Sequence, residues 1–261
     1  MPGHARLLPA ALIAGALLTP APGASAPPSP APAPAPATSA PLADTARVRR
    51  WREDLRFVTD RVTSVHPRPF AFSWRAAFDS AAATIERRIP ATDDAGLAIE
   101  IMRMLAALGD GHTMAIGTFP HLGFDTALPL WLRPCEDGLF VGAAGPPAAS
   151  PAGARVVSIG GVPADSALER VLAITSGDNR YTRLDRAPLY LMMPDVLKAL
   201  GLGAGRDRVE VEIERGGKRE RLTVNGAPPP DGFPHAFLES EPRFPKGWTR
   251  ARHFPAEGPP R

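Results

Sequence analysis

The chain has 261 residues, 30 lysines and arginines against 27 aspartates and glutamates, and a formal charge of +3, enough length for one or two domains with real cores. So small a charge, with the arginines scattered along the chain, gives no basis for nucleic-acid binding. The single cysteine, Cys135, excludes an intramolecular disulfide and any multi-cysteine metal site, and its setting reads as a strand end where it serves as a small apolar side chain.

Residues 7–18 form an apolar run behind Arg6, followed by small residues and prolines, which reads as a signal peptide over residues 1–26. The run is shorter than the roughly 20 apolar residues a bilayer crossing needs. Cleavage is therefore expected rather than anchoring, giving an exported protein, periplasmic or secreted, without a stable membrane span. The cleavage point stays open between Ala26, where Pro27 obstructs a peptidase that binds the chain extended, and Gly23. Residues 27–43 alternate proline with alanine and form a stiff, extended linker.

Residues 44–116 read as a helical domain. Val48, Trp51, Leu55, Val58, Val62 and Val65 recur at spacings of three and four, a one-sided helical stripe that Asp44 caps and Pro67 ends. The arginines at 47, 49, 50 and 52 form its solvated face. A second helix runs from a Ser73 cap through Trp74, Phe78, Ala81, Ile85 and Ile89 to Pro90. A third starts near Thr92, with Asp93 and Asp94 in its first turn, and carries Leu97, Ile101, Leu105 and Leu108 before Gly109. Short connections make these a three-helix bundle.

Residues 117–226 change to shorter periods. Strands are expected at 128–132, 139–141 and 155–159, and helices at 164–174 and 188–200, the latter split or kinked by Pro194. Val209, Val211 and Ile213 alternate with charges, Gly216 and Gly217 turn, and Leu222 and Val224 resume the alternation, a hairpin. Residues 227–261 are rich in proline and glycine with irregularly spaced aromatics (Phe233, Phe237, Phe244, Trp248, Phe254), a linker or docking strip. The fold class expected is α+β.

The chemistry centres on Leu108-Gly109-Asp110-Gly111-His112-Thr113. The glycines let the backbone turn sharply, and a histidine on such a turn is the candidate general base, with Asp110 close enough in sequence to hydrogen-bond near it. Asp110, His112, His121 and Asp125 also lie in one stretch, but their spacing matches no helical zinc pattern, and neither metal nor cofactor is expected. His66 beside Pro67 reads as a helix-end residue; His235 and His253 carry no argument. No Gly-x-Ser-x-Gly sequence occurs, Ser158 reads as a strand residue, and the lysines at 198, 218 and 246 pair with no candidate serine.

These pieces, in order, resemble the S41 serine peptidases, the tail-specific or C-terminal-processing proteases, including their tricorn core-like branch. The resemblance covers about residues 47–224. It rests on Val65-His66-Pro67-x-Pro69-Phe70, the Gly-Asp-Gly-His-Thr turn, Leu128-Pro129, Gly138-Leu139-Phe140-Val141, the 153–161 segment ending Ser158-Ile159-Gly160-Gly161, and Asp178-Asn179. It implies that 117–226 is a PDZ-like domain whose groove receives peptide or protein C-termini by strand addition, and that His112 descends from the catalytic base. The nucleophilic serine, its oxyanion glycines and the acidic partner come later in that family and match no position here. The chain alone is accordingly expected to be inactive, its catalytic domain being separate. The alternative is an exported, non-catalytic peptide-binding adaptor or half of a split peptidase.

Overall fold

The computed structural model describes residues 44–115, 126–146, 151–203, 207–228 and 246–251. All fall within one compact unit, Leu42–Arg261; the signal-peptide and linker readings of 1–43 lie outside them. The class is α+β, with six helices and an antiparallel sheet among the described residues.

Helix α1 spans Thr45–Val65 and opens where predicted, because the Asp44 carboxylate accepts from the Ala46 and Arg47 N–H groups at 3.0 and 3.2 Å, satisfying two donors that no preceding turn can reach. It ends at His66, whose extended backbone (φ −70°, ψ 126°) is the conformation a following proline imposes. Val48, Leu55 and Val62 are buried, but Val65 is exposed, so the stripe stops a turn earlier than its spacing suggested. Nor is the arginine face wholly solvated. Arg47 bonds Asp94 Oδ1 at 2.6 Å and the carbonyls of Ile89 and Thr92, and Trp51 Nε1 reaches the same Asp94 oxygen at 2.7 Å.

Helix α2 spans Arg75–Arg88. Ser73 does not cap it: Trp74 occupies the cap position without a side-chain bond, the Ser73 hydroxyl is buried without a partner among the described residues, and Trp74 is 83% exposed. A stripe assigned by spacing placed that tryptophan inside; the helix begins one residue later and leaves it in water. Helix α3, Asp94–Ala106, is capped by Asp93 on Gly96 N–H at 2.8 Å, so Asp93 precedes the first turn rather than sitting in it. Eight of its residues are buried, on both sides of the helix. Leu97, Ile101, Met104 and Leu105 pack with α1 and α2, while Ala98, Ile99 and Met102 join the core under the sheet.

The strands are β1 (Leu130–Cys135), β2 (Gly138–Ala144), β3 (Arg155–Ile159), β4 (Val162–Pro163), β5 (Arg208–Arg215), β6 (Lys218–Asn225) and β7 (Thr249–Arg250). They run in the order β1-β2-β3-β5-β6, with β4 on β3 and β7 on β2, every pair antiparallel. The predicted hairpin is β5–β6: Arg215 faces Lys218 across Gly216 and Gly217, both at positive φ, the backbone a two-residue hairpin turn demands. The pairing of β7 with β2 shows that the proline-rich tail returns to the sheet at Thr249–Arg250 rather than serving only as a linker; Phe233, Phe237, Phe244 and Phe254 lie outside the described residues.

Between β4 and β5 come α4 (Ala164–Leu172), α5 (Arg180–Leu191) and α6 (Pro194–Ala199). The break at Pro194 is there, with that proline opening α6, where its missing N–H costs nothing. The preceding helix, however, starts at Arg180 rather than Pro188, capped by Asn179 on Thr182 N–H at 3.0 Å. No helix among the described residues is long and apolar enough to cross a membrane.

Leu97, with no exposed surface, lies in the α1–α3 core, so Leu97→Ala is expected to cost about 2–5 kcal/mol in urea unfolding. Trp74→Ala is expected to stay within about 0.5 kcal/mol of the parent, an outcome that a buried Trp74 would reverse.

Candidate active site

The C-terminus of α3 delivers the turn. Gly109 adopts φ +73°, a left-handed conformation that glycine enters without penalty, and the Phe72 Cβ stands 3.1 Å from where a Gly109 side chain would begin. Asp110 then organises the next three residues. Its Oδ1 accepts from the His112 backbone N–H at 3.1 Å, and its Oδ2 accepts from the Thr113 hydroxyl at 2.5 Å and lies 3.0 Å from His66 Nε2. The His66 tautomer follows from its other nitrogen. Nδ1 accepts from the Arg68 N–H at 3.1 Å, so Nε2 carries the hydrogen and donates it to Asp110. His66 is thus both the C-cap of α1 and a tie to the turn.

The opposite side of the turn is held by the segment entering α5. Gly111 N–H donates to Asp178 Oδ1 at 2.8 Å, and a Cβ on Gly111 would sit 2.8 Å from Asp178 Oδ2, so a larger residue there would displace the Asp178 carboxylate. Arg186 donates to the carbonyls of Gly111 (2.6 Å) and Ser176 (2.9 Å), and Arg183 to those of Ala106 and Gly177. On this clamped base the His112 side chain is 91% exposed, its Nδ1 3.7 Å from Asp110 Oδ1, beyond hydrogen-bond range. Among the described residues no serine, threonine or cysteine side chain hydrogen-bonds to it.

Asp110, His112 and Asp178 bring one donor atom each to within 4.8 Å of one another. That group differs from the stretch read from sequence: Asp178 replaces His121 and Asp125, which lie outside the described residues. Both Asp110 oxygens already accept hydrogen bonds from Thr113, His66 and the His112 backbone, so the arrangement is accounted for as a polar network holding a turn. Ser158 sits in β3 with its hydroxyl 3.4 Å from Glu212, a strand residue as expected, and Cys135 ends β1, its thiol pushed above its ordinary range by burial. His66, Asp178 and Arg186 join the turn from outside the 108–113 segment, and no sequence spacing assigns them to it.

The Asp110 carboxyl is held far below the usual carboxylate range, chiefly by the Thr113 hydroxyl and, against some opposing burial, by His66 and the His112 N–H. A depressed folded-state value adds stability that is fully present above the unfolded pKa of about 3.9 and is lost as pH falls below it. Asp110→Asn is expected to lower stability by about 1–3 kcal/mol at pH 7. The gap between parent and variant, followed by thermal unfolding, should narrow as pH drops from 5 to about 3; a gap constant across that range would remove the ionised carboxylate from the account. No family model matches this chain, and no curated protein does either.

Proposed function

We propose that this chain is the helical and PDZ-like part of an S41-type serine peptidase and that His112 is its general base. The observation that carries the reading is an exposed imidazole on a turn whose neighbouring carboxylate is fixed by three donors. In this role His112 takes the proton of a serine hydroxyl as it attacks a peptide carbonyl and returns it to the leaving amine. An ionised Asp110 beside the ring favours the imidazolium formed between those two transfers. On this reading α1–α3 correspond to the helical region of the resemblance and the antiparallel strands with α4 to its PDZ-like domain. The serine and its oxyanion donors are supplied by a separate catalytic domain, and the protein acts outside the cytoplasm on peptide or protein C-termini.

A second reading, an exported peptide-binding adaptor or half of a split peptidase, is favoured by the lack of any hydroxyl or thiol bonded to His112 among the described residues. Two experiments separate them. Translating the coding DNA beyond the Arg261 codon in all frames should reveal a serine-bearing core if the first reading holds; unrelated sequence favours the adaptor. Incubating the purified chain with a fluorophosphonate probe should leave it unlabelled under both, and stoichiometric labelling would show that the chain holds its own nucleophile and overturn the assignment of the serine to another domain.

A further inference from the structure

A cleft of about 1230 Å³ opens beside the His112 turn, with Met114 and Arg186 in its lining. Arg186 is the same side chain that donates to the Gly111 carbonyl, so cleft and turn share a wall. Its lining comes from the second half of β1 with the Glu136-Asp137 turn, from Asp165, Leu168 and Glu169 of α4, and from much of α5. Among the described residues β1 is an edge of the sheet, and Pro134 within it is a residue that sheets accept at an edge. An extended segment is the shape that matches a strand edge. Leu168, Leu184 and Leu189 supply apolar lining, suited to the methylene stem of a long side chain.

Charge narrows the occupant. Five carboxylates line the cleft (Glu136, Asp137, Asp165, Glu169 and Asp185) against the guanidinium groups of Arg133, Arg180 and Arg186. Glu169 and Arg180 neutralise each other at 2.5 Å, and Arg133 and Arg186, the latter donating through Nη1 to the carbonyls of Gly111 and Ser176, offset only half of the charge on the other four carboxylates. The other four carboxylates are exposed and form no ion pair among the described residues. A chain whose overall charge is +3 thus gathers negative charge in a concave site, where low-dielectric walls concentrate its field.

We infer that this cleft takes an extended peptide segment bearing lysine or arginine, its backbone along β1 and its cationic side chain among Glu136, Asp137, Asp165 and Asp185. The inference rests on the peptide-directed reading above for the kind of polymer bound and adds the side chain selected.

The test is fluorescence anisotropy on the full chain with short labelled peptides identical but for one central residue, Lys, Gln or Glu. The Lys peptide is expected to bind roughly tenfold tighter than the Gln peptide, with the Glu peptide weaker still. The preference should fall to about twofold or less in the E136Q/D137Q/D185N variant while Gln-peptide affinity holds; these exposed positions leave the fold intact, checked by thermal unfolding. Equal binding of all three peptides, or a Lys preference that survives in the variant, overturns the charge selection and leaves peptide binding standing. Failure of every peptide to bind overturns both the selection and the peptide-directed reading.

Discussion

Helix α3 carries apolar side chains on both of its faces, and a helix of that kind is stable only when both are covered. This one constraint organises the chain. Helices α1 and α2 cover one side through Leu97, Ile101, Met104 and Leu105. The sheet and the later helices cover the other through Ala98, Ile99 and Met102. Asp94 at its first turn, tied to Arg47 and Trp51, fixes where the α1 side docks. A helix held along its length presents its far end at a defined place, and the turn bearing His112 is that far end.

Asp110 converts this placement into a site. It joins the end of α1 through His66, the turn's own backbone through His112 N–H, and the chain just beyond through Thr113. Asp178, Arg183 and Arg186 close the other side from the segment that enters α5 and from α5 itself. A flexible perch would spread an exposed imidazole over many positions; here only its own side-chain rotamers remain free, the entropic condition that the proposed role of general base requires.

What the sequence made legible was local. The Asp44 cap, the α1 stripe as far as Val62 and the Gly216-Gly217 turn depend on residues a few positions apart, and each stands in the structure. His112 on its glycine-braced turn was legible for the same reason. The rest of the site depends on distance: His66 meets Asp110 across 44 residues, and Gly111 meets Asp178 across 67, pairings that no periodicity encodes. Helix α5 was hidden in its first half because residues 180–186 are mostly polar, and its burial begins only at Ala187. Trp74 misled because an aromatic at helical spacing looks like core until the start of the helix is fixed.

The return of the chain at Thr249–Arg250 bears on how this protein can be shortened. Ala251 N–H donates to the Gly142 carbonyl at 2.8 Å, and Trp248 packs on a small cluster of Ala127, Trp131, Ala143 and Met192. Its indole lies so close to Gly145 that an added methyl there would meet the ring at 2.6 Å. Strand β2 therefore depends on residues more than a hundred positions further along for part of its edge and part of its cover. A boundary drawn after the β5–β6 hairpin, where the sheet looks finished in sequence, would uncover Trp131 and Met192 and leave an unpaired strand edge open to association with other copies.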